Sequence, residues 1–189
     1  QVKEMFNRIA GRYDFLNHLL SFNIDKRWRR KLRDLVINDL YRKADDNSSV
    51  RLLDVATGTG DLAFVLSRDP KIRVTGLDIS EEMIKIAMKK ALEKKSQIEF
   101  MVGDSEFLPF EDNSFDYVTV AFGVRNFEDL EKGLKEFIRV LKPGGMVFIL
   151  EFSKPDNSFF NSIYRFYSNR ILPRLAALFV GEPRAYIYL

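Results

Sequence analysis

A short apolar run that breaks into a glycine turn and then into a helix start constrains this chain more than any other feature. Residues 50–62 read VRLLDVATGTGDL. The run Leu52-Leu53-Asp54-Val55-Ala56 has the length and composition of a buried parallel strand. It ends at Gly58-Thr59-Gly60, and a helical stretch follows from Asp61 to Ser67. Glycine lacks Cβ, so the backbone can turn tightly there and admit a ligand at close range. The unpaired N–H groups of the helix start then face the turn. This order makes a nucleotide cradle, but a plain tight turn carries the same local signature. The rest of the chain distinguishes the two.

Beyond the turn, predicted strands and helices alternate. Residues 73–77 form a second strand ending at Asp78, and Ser80-Glu81-Glu82-Met83 has the chemistry of a capped helix start. That helix is predicted to reach about Lys94. Strands are predicted over 97–102 and 115–122, and a helix over 130–141. A last strand is predicted over 145–152, after the Lys142-Pro143-Gly144-Gly145 turn. Such alternation implies a mostly parallel central sheet with helices on both faces. Right-handed crossovers put the strand C-termini on one edge, where open α/β sheets bind ligands. Residues 58–61, Asp78, Asp104, residues 121–126 and Glu151 all fall on that rim.

Ahead of this core, Met5, Phe6, Ile9, Phe15, Leu16, Leu19 and Leu20 recur at helical spacing, interrupted near Gly11. A second helix is predicted over 25–41, with Trp28, Leu32, Leu35, Val36 and Leu40 on one face. Lys26, Arg27, Arg29, Arg30, Lys31 and Arg33 crowd its first half. Such a face is either solvated or suited to anionic lipid headgroups. The 189 residues suit one domain, read as a helical cap over 1–45, an α/β core over 50–155 and a helical segment over 156–189. That last segment is rich in aromatic and apolar residues and broken at Pro173. A net charge of +3 does not demand nucleic acid as a partner. Cysteine is absent and His18 is the one histidine, so thiolate and histidine-rich metal centres are excluded and no metal is expected. No apolar run reaches the ~20 residues of a membrane-spanning helix. The start at Gln1 and the apolar end Tyr186-Ile187-Tyr188-Leu189 lead to the expectation that sequence is missing at the C-terminal side.

Asp78 lies 18 residues after Gly60, close to the ~20 at which an acidic residue binds ribose hydroxyls in such folds. Asp104, after the third strand, is placed for an adenine amino group. The turn also fits the dinucleotide pattern G-x-G-x-x-A. Asp61 argues against that reading, because a carboxylate at the helix start would repel a pyrophosphate. The same charge suits a cationic ligand such as a sulfonium.

Several segments together resemble a known family. The turn, Asp78, the stretch Gly103-Asp104-Ser105-Glu106-Phe107-Leu108-Pro109-Phe110 and Asn113-Ser114-Phe115-Asp116 are similar to class I S-adenosylmethionine-dependent methyltransferases, which are Rossmann-like. Tyr13-Asp14-Phe15-Leu16-Asn17, Phe122-Gly123-Val124-Arg125-Asn126 and Glu151-Phe152-Ser153-Lys154-Pro155 narrow the likeness to the ubiquinone/menaquinone biosynthesis C-methyltransferases. The resemblance implies an N-terminal helical lid and further strands beyond Leu189. It implies methyl transfer from S-adenosylmethionine to a ring carbon of a prenylated quinol, in a cytoplasmic enzyme with peripheral contact at the inner face of the membrane. It assigns Thr57, Gly58, Thr59, Gly60, Asp61, Asp78, Ile79, Met83, Gly103, Asp104, Ser105 and Ala121 to the cofactor, and Arg125, Tyr13 and Asn17 to the reaction. A methyltransferase of another small molecule and a non-catalytic nucleotide-binding module are the other readings the residues allow.

Overall fold

The computed structural model describes residues 2–21, 23–43 and 49–151, with the side chains at positions 2, 12, 15–17, 19 and 20 outside that description. The helical segment expected over 156–189 lies outside the described residues. Two helices, α1 (Val2–Leu20) and α2 (Ile24–Lys43), precede a sheet of five strands. These are β1 (Val50–Val55), β2 (Ile72–Asp78), β3 (Glu99–Val102), β4 (Phe115–Ala121) and β5 (Leu141–Leu150). Their order is β3-β2-β1-β4-β5, every pair parallel. Helices α3 (Asp61–Leu66), α4 (Glu81–Glu93) and α5 (Leu130–Val140) make connections, and the short turn η1 (Val124–Asn126) follows β4. Strand order reverses at β1, with β2 and β3 to one side and β4 and β5 to the other. That reversal is the switch point at which such sheets open a crevice.

The continuous apolar run of β1 is explained by cover on both sides of the sheet. Leu52 packs with Leu32 and Val36 of α2, Leu62 and Leu66 of α3, and Ile84 and Ala87 of α4. Its neighbour Leu53 faces the other way, into a cluster with Val118, Val120 and α5 residues Phe137 and Val140. Each fully buried side chain of this size contributes ~1.5–3 kcal/mol. α1 adds a third cluster, setting Ile9 and Ala10 against Met83 of α4. Ser80 caps α4, its hydroxyl accepting from the Met83 N–H (3.3 Å) and donating to Asn7 Oδ1 of α1 (2.6 Å).

Two elements depart from the sequence expectation. α1 runs unbroken through Gly11, which is exposed and has no heavy atom within 4 Å of where a Cβ would sit. Glycine in an exposed helix interior costs about 1 kcal/mol, which the contacts on either side absorb. β5 begins at Leu141, so the expected Lys142-Pro143-Gly144-Gly145 turn is part of the strand, at a register break between the Phe115–Leu141 and Tyr117–Met146 pairs. Gly145 is needed at that break, because a Cβ there would lie 2.9 Å from the Asp116 carbonyl oxygen.

Two glycine substitutions are expected to have opposite effects. Gly11→Ala stabilises the protein by ~0.5–1 kcal/mol. Gly60→Ala destabilises it by at least ~1 kcal/mol, since Gly60 has φ +86° and its Cβ would come within 2.7 Å of Phe100 Cζ. Denaturant unfolding of the two variants measures both. Equal effects of one sign would contradict this account.

Candidate functional site

The carboxyl ends of β1 to β4 open onto one cleft. Gly58, Asp78, Ile79, Gly103, Asp104, Ser105 and Ala121 line it from the sheet edge, Met83 from α4, and Tyr13 from α1. Residues far apart in sequence thus converge where strand order reverses. Tyr13 is held by an edge-on contact with Phe6, the ring centroids 5.9 Å apart.

Asp78 organises the floor of the cleft. Its Oδ2 accepts from the Gly58 N–H (2.8 Å) and its Oδ1 from the Ser80 N–H (2.9 Å). Burial pushes the Asp78 carboxyl above the usual carboxylate range, while the N–H groups of Ser80 and Gly58 act in the opposite sense. Each carboxylate oxygen keeps a further lone pair, so the group can still accept from a ligand. Gly58 has φ +57°, and a Cβ there would meet only a Tyr13 ring carbon at 3.9 Å. The space in front of its backbone is therefore open. A buried carboxylate beside an open glycine backbone, with Ile79 and Met83 as apolar surface and Asp104 across the cleft, fits a nucleoside with two adjacent ribose hydroxyls.

A second carboxylate supports the turn from below. Asp54 accepts from the hydroxyls of Thr57 (2.6 Å) and Thr119 (2.8 Å), tying the exit of β1 to β4. It is only 1% exposed. Burial pushes its pKa up to about 6, although both hydroxyls and the charge of Arg29 oppose the shift. Thr57 thus holds the turn through Asp54 and does not line the cleft.

The other predicted residues are distributed differently. Thr59 donates to Asp14 of α1. The Asp61 carboxylate faces the chain's own side chains, with the Lys90 ammonium at 3.2 Å, the His18 ring at 3.4 Å and the Arg29 guanidinium at 3.9 Å. Its charge is met from within the protein, and Asp61 is not among the cleft-lining residues. His18, Asp25 and Asp61 offer ligand atoms within 4.8 Å of one another, and Arg29 pairs with both of these carboxylates. Arg125 lies on η1, its Nη1 2.9 Å from Glu151 Oε1. Asn17 lies on α1, its side chain outside the described residues. Of the basic residues on α2, Arg29 is buried and stacks on Phe122, its Cζ 5.4 Å from the ring centroid, while Lys26, Arg27, Arg30 and Lys31 are exposed.

The sequence places Asn126 on the rim, within residues 121–126, without giving it a role in the site. It lines the cleft, and its Oδ1 is buried without a hydrogen-bond partner among the described residues. The motif Phe122-Gly123-Val124-Arg125-Asn126 marks this stretch, but residue type alone favours the charged Arg125 over its neutral neighbour. Phe122 also lines the cleft, in a left-handed conformation with φ 60°. No pattern in the sequence announces that strain.

A sheet of this order with a cleft lined by the strand ends at its switch point defines a class. The solved structure of a SAM-dependent methyltransferase from Aquifex aeolicus matches with a TM-score of 0.57 and 26% identity, over 67% of this chain and 66% of that one. The model of the ubiE/COQ5 methyltransferase family matches residues 1–189, and the chain belongs to that family. It is 47% identical to the demethylmenaquinone methyltransferase of Thermus thermophilus, over 98% of this chain and 81% of that protein. It is 45% identical to the ubiquinone/menaquinone biosynthesis C-methyltransferase UbiE of Geotalea daltonii, over 100% of this chain and 78% of that protein.

The buried Asp54 gives a pH prediction with a definite sign. Its folded pKa of about 6 lies above the unfolded value, so the folded state binds more protons between those values. Ionising it therefore costs stability as pH rises. Asp54→Asn removes that cost, so the stability of the variant relative to the parent should rise by about 2–3 kcal/mol between pH 4 and 7. Parallel pH profiles from denaturant titrations would show that Asp54 does not titrate this way.

Proposed function

We propose that the protein transfers a methyl group from S-adenosylmethionine to a ring carbon of a prenylated quinol, of the demethylmenaquinol type, in respiratory quinone biosynthesis. The observation that carries this reading is the match of the whole chain to the ubiE/COQ5 methyltransferase family, with relatives above 40% identity named for that reaction. When bound, S-adenosylmethionine supplies an electrophilic methyl group on a sulfonium. The chain's own residues have to hold it, orient the acceptor and favour the phenolate form of the quinol.

In this reading Asp78 accepts from the ribose hydroxyls, and Gly58 lets the backbone approach the ligand. Asp104 accepts from the adenine amino group, with Ile79 and Met83 against its faces and Gly103, Ser105 and Ala121 completing the wall. Thr57, Thr59, Gly60 and Asp61 shape and brace the turn. Asn126 offers its buried side-chain oxygen to a ring hydroxyl, and Tyr13 reaches the same space from α1. Arg125 acts on developing phenolate charge, since a guanidinium stays protonated throughout; Glu151 fixes its position. Holding ring carbon, methyl and sulfur in line can supply ~7–11 kcal/mol of the barrier.

The lipid-tailed substrate also gives a reason for membrane contact. Among the described residues no helix is long and apolar enough to cross a membrane. α2 presents exposed Trp28 and Leu35 together with Lys26, Arg27, Arg30 and Lys31, the combination that binds anionic lipid surfaces. Flotation with anionic liposomes at low salt is expected to carry the protein upward. Recovery in the bottom fraction would remove this part.

The direct test is methyl transfer from labelled S-adenosylmethionine to demethylmenaquinol and to the corresponding benzoquinol. Label in the extracted quinone is expected, and its absence with both acceptors would contradict the proposal. Asp78→Ala should weaken S-adenosylmethionine by ~1.5–3 kcal/mol, about ten- to a hundredfold in Kd by calorimetry. Arg125→Ala should keep cofactor affinity and lose turnover; normal turnover would remove Arg125 from the reaction.

A further inference from the structure

α1 is fastened along the cleft at several points. At its start Lys3 pairs with Glu81 (2.9 Å), and Asn7 holds the Ser80 hydroxyl. At its far end His18 Nε2 lies 3.4 Å from Asp61. Between them sits Asp14, one residue after the cleft-lining Tyr13, and here the contacts converge on one atom of α4. The Lys90 ammonium lies 2.6 Å from Asp14 Oδ2, 3.0 Å from Thr59 Oγ1, 3.2 Å from the Thr59 carbonyl oxygen and 3.2 Å from Asp61 Oδ1. Its three N–H donors are thus shared among four acceptors. Its side chain is 23% exposed, and Thr59 is almost fully buried.

These contacts fix a particular peptide. The Thr59–Gly60 peptide has its carbonyl held by Lys90, while its N–H donates to the Thr57 carbonyl (3.0 Å). Pinned at both ends, the peptide cannot rotate, and the adjoining Gly58 keeps its open face toward the cleft. The same ammonium holds Asp14, and through it Tyr13 at the opposite wall. Without Lys90, Asp14 and Asp61 would share this space as two carboxylates, a repulsive arrangement.

We propose that Lys90 is a positioning residue that couples the α1 cap to the glycine turn, so that the cap and the cofactor cradle hold or loosen as one unit. This rests on the cofactor reading of the cleft given above. Lys90 does not touch the ligand; it acts through Thr59 on the cradle and through Asp14 on the cap. Ligand binding should then order α1, and loosening α1 should weaken ligand binding by the same factor, as linkage requires.

The test compares the full chain with Lys90→Met, Lys90→Arg and Asp14→Asn. S-adenosylhomocysteine affinity is measured by calorimetry, and amide exchange of residues 2–20 is measured with and without that ligand. Lys90→Met is expected to weaken the ligand about tenfold, to speed exchange across 2–20 in the free protein and to abolish the protection the ligand gives there. Lys90→Arg should restore most of both. Asp14→Asn should reproduce the loss, and Lys90→Met with Asp14→Asn should lose less than the sum of the two single variants, because Lys90, Asp14 and Thr59 share one network of contacts. If Lys90→Met does not fold, Asp14→Asn and Lys90→Arg carry the same comparison. Wild-type affinity together with wild-type exchange over 2–20 in either neutral variant overturns the proposal, as do additive losses. Failure of the unmodified protein to bind S-adenosylhomocysteine contradicts the cofactor reading instead, and exchange in the free variants still decides the coupling of α1 to the turn.

Discussion

The hydrogen bond from the Gly58 N–H to the buried Asp78 carboxylate is the interaction on which the rest of the site depends. It joins the end of β1 to the end of β2 across the sheet edge. In doing so it fixes the backbone of the glycine turn and the carboxylate that faces the cleft in one arrangement. A carboxylate held among N–H groups is oriented before any ligand arrives, and its remaining lone pairs are presented in a fixed direction. Asp54, one layer lower, does similar work inside the sheet, accepting from the hydroxyls of both Thr57 and Thr119. Both acids are costly to bury and both are paired, as buried charge must be. Stability is spent here to keep the cleft in shape.

Much of this was legible in the sequence because it depends on local patterns. The apolar run at 52–56, the glycines after it and Asp78 at the next strand end require only strand length, glycine freedom and the rules of parallel connection. The five strands and their parallel sense follow from alternation. Two features were not legible. The continuity of α1 through Gly11 is decided by contacts on either side of a residue that itself touches nothing. The inclusion of Lys142-Pro143-Gly144-Gly145 in β5 depends on a neighbouring strand that tolerates a register break.

For the site, the divide falls between backbone and charge. Residues placed by strand ends, such as Asp78, Gly103, Asp104 and Ala121, line the cleft as the topology requires. Charged residues chosen for their chemistry meet charged partners that local sequence does not reveal. Asp61 meets Lys90 and Arg29, and Arg125 meets Glu151. Asn126, uncharged and next to Arg125, has a buried side-chain oxygen with no hydrogen-bond partner among the described residues. Charge complementarity across 26 to 32 residues of chain is a property of the fold, whereas a glycine turn is a property of its own few residues.

The central claim is that the cleft above Gly58 and Asp78 holds the nucleoside of the methyl donor. A crystal structure with S-adenosylhomocysteine tests it most directly. The account predicts both ribose hydroxyls within hydrogen-bond distance of the Asp78 carboxylate, the ligand backbone against Gly58 and the adenine beside Ile79 and Asp104. Ligand density elsewhere on the molecule, with Asp78 facing solvent, would contradict it.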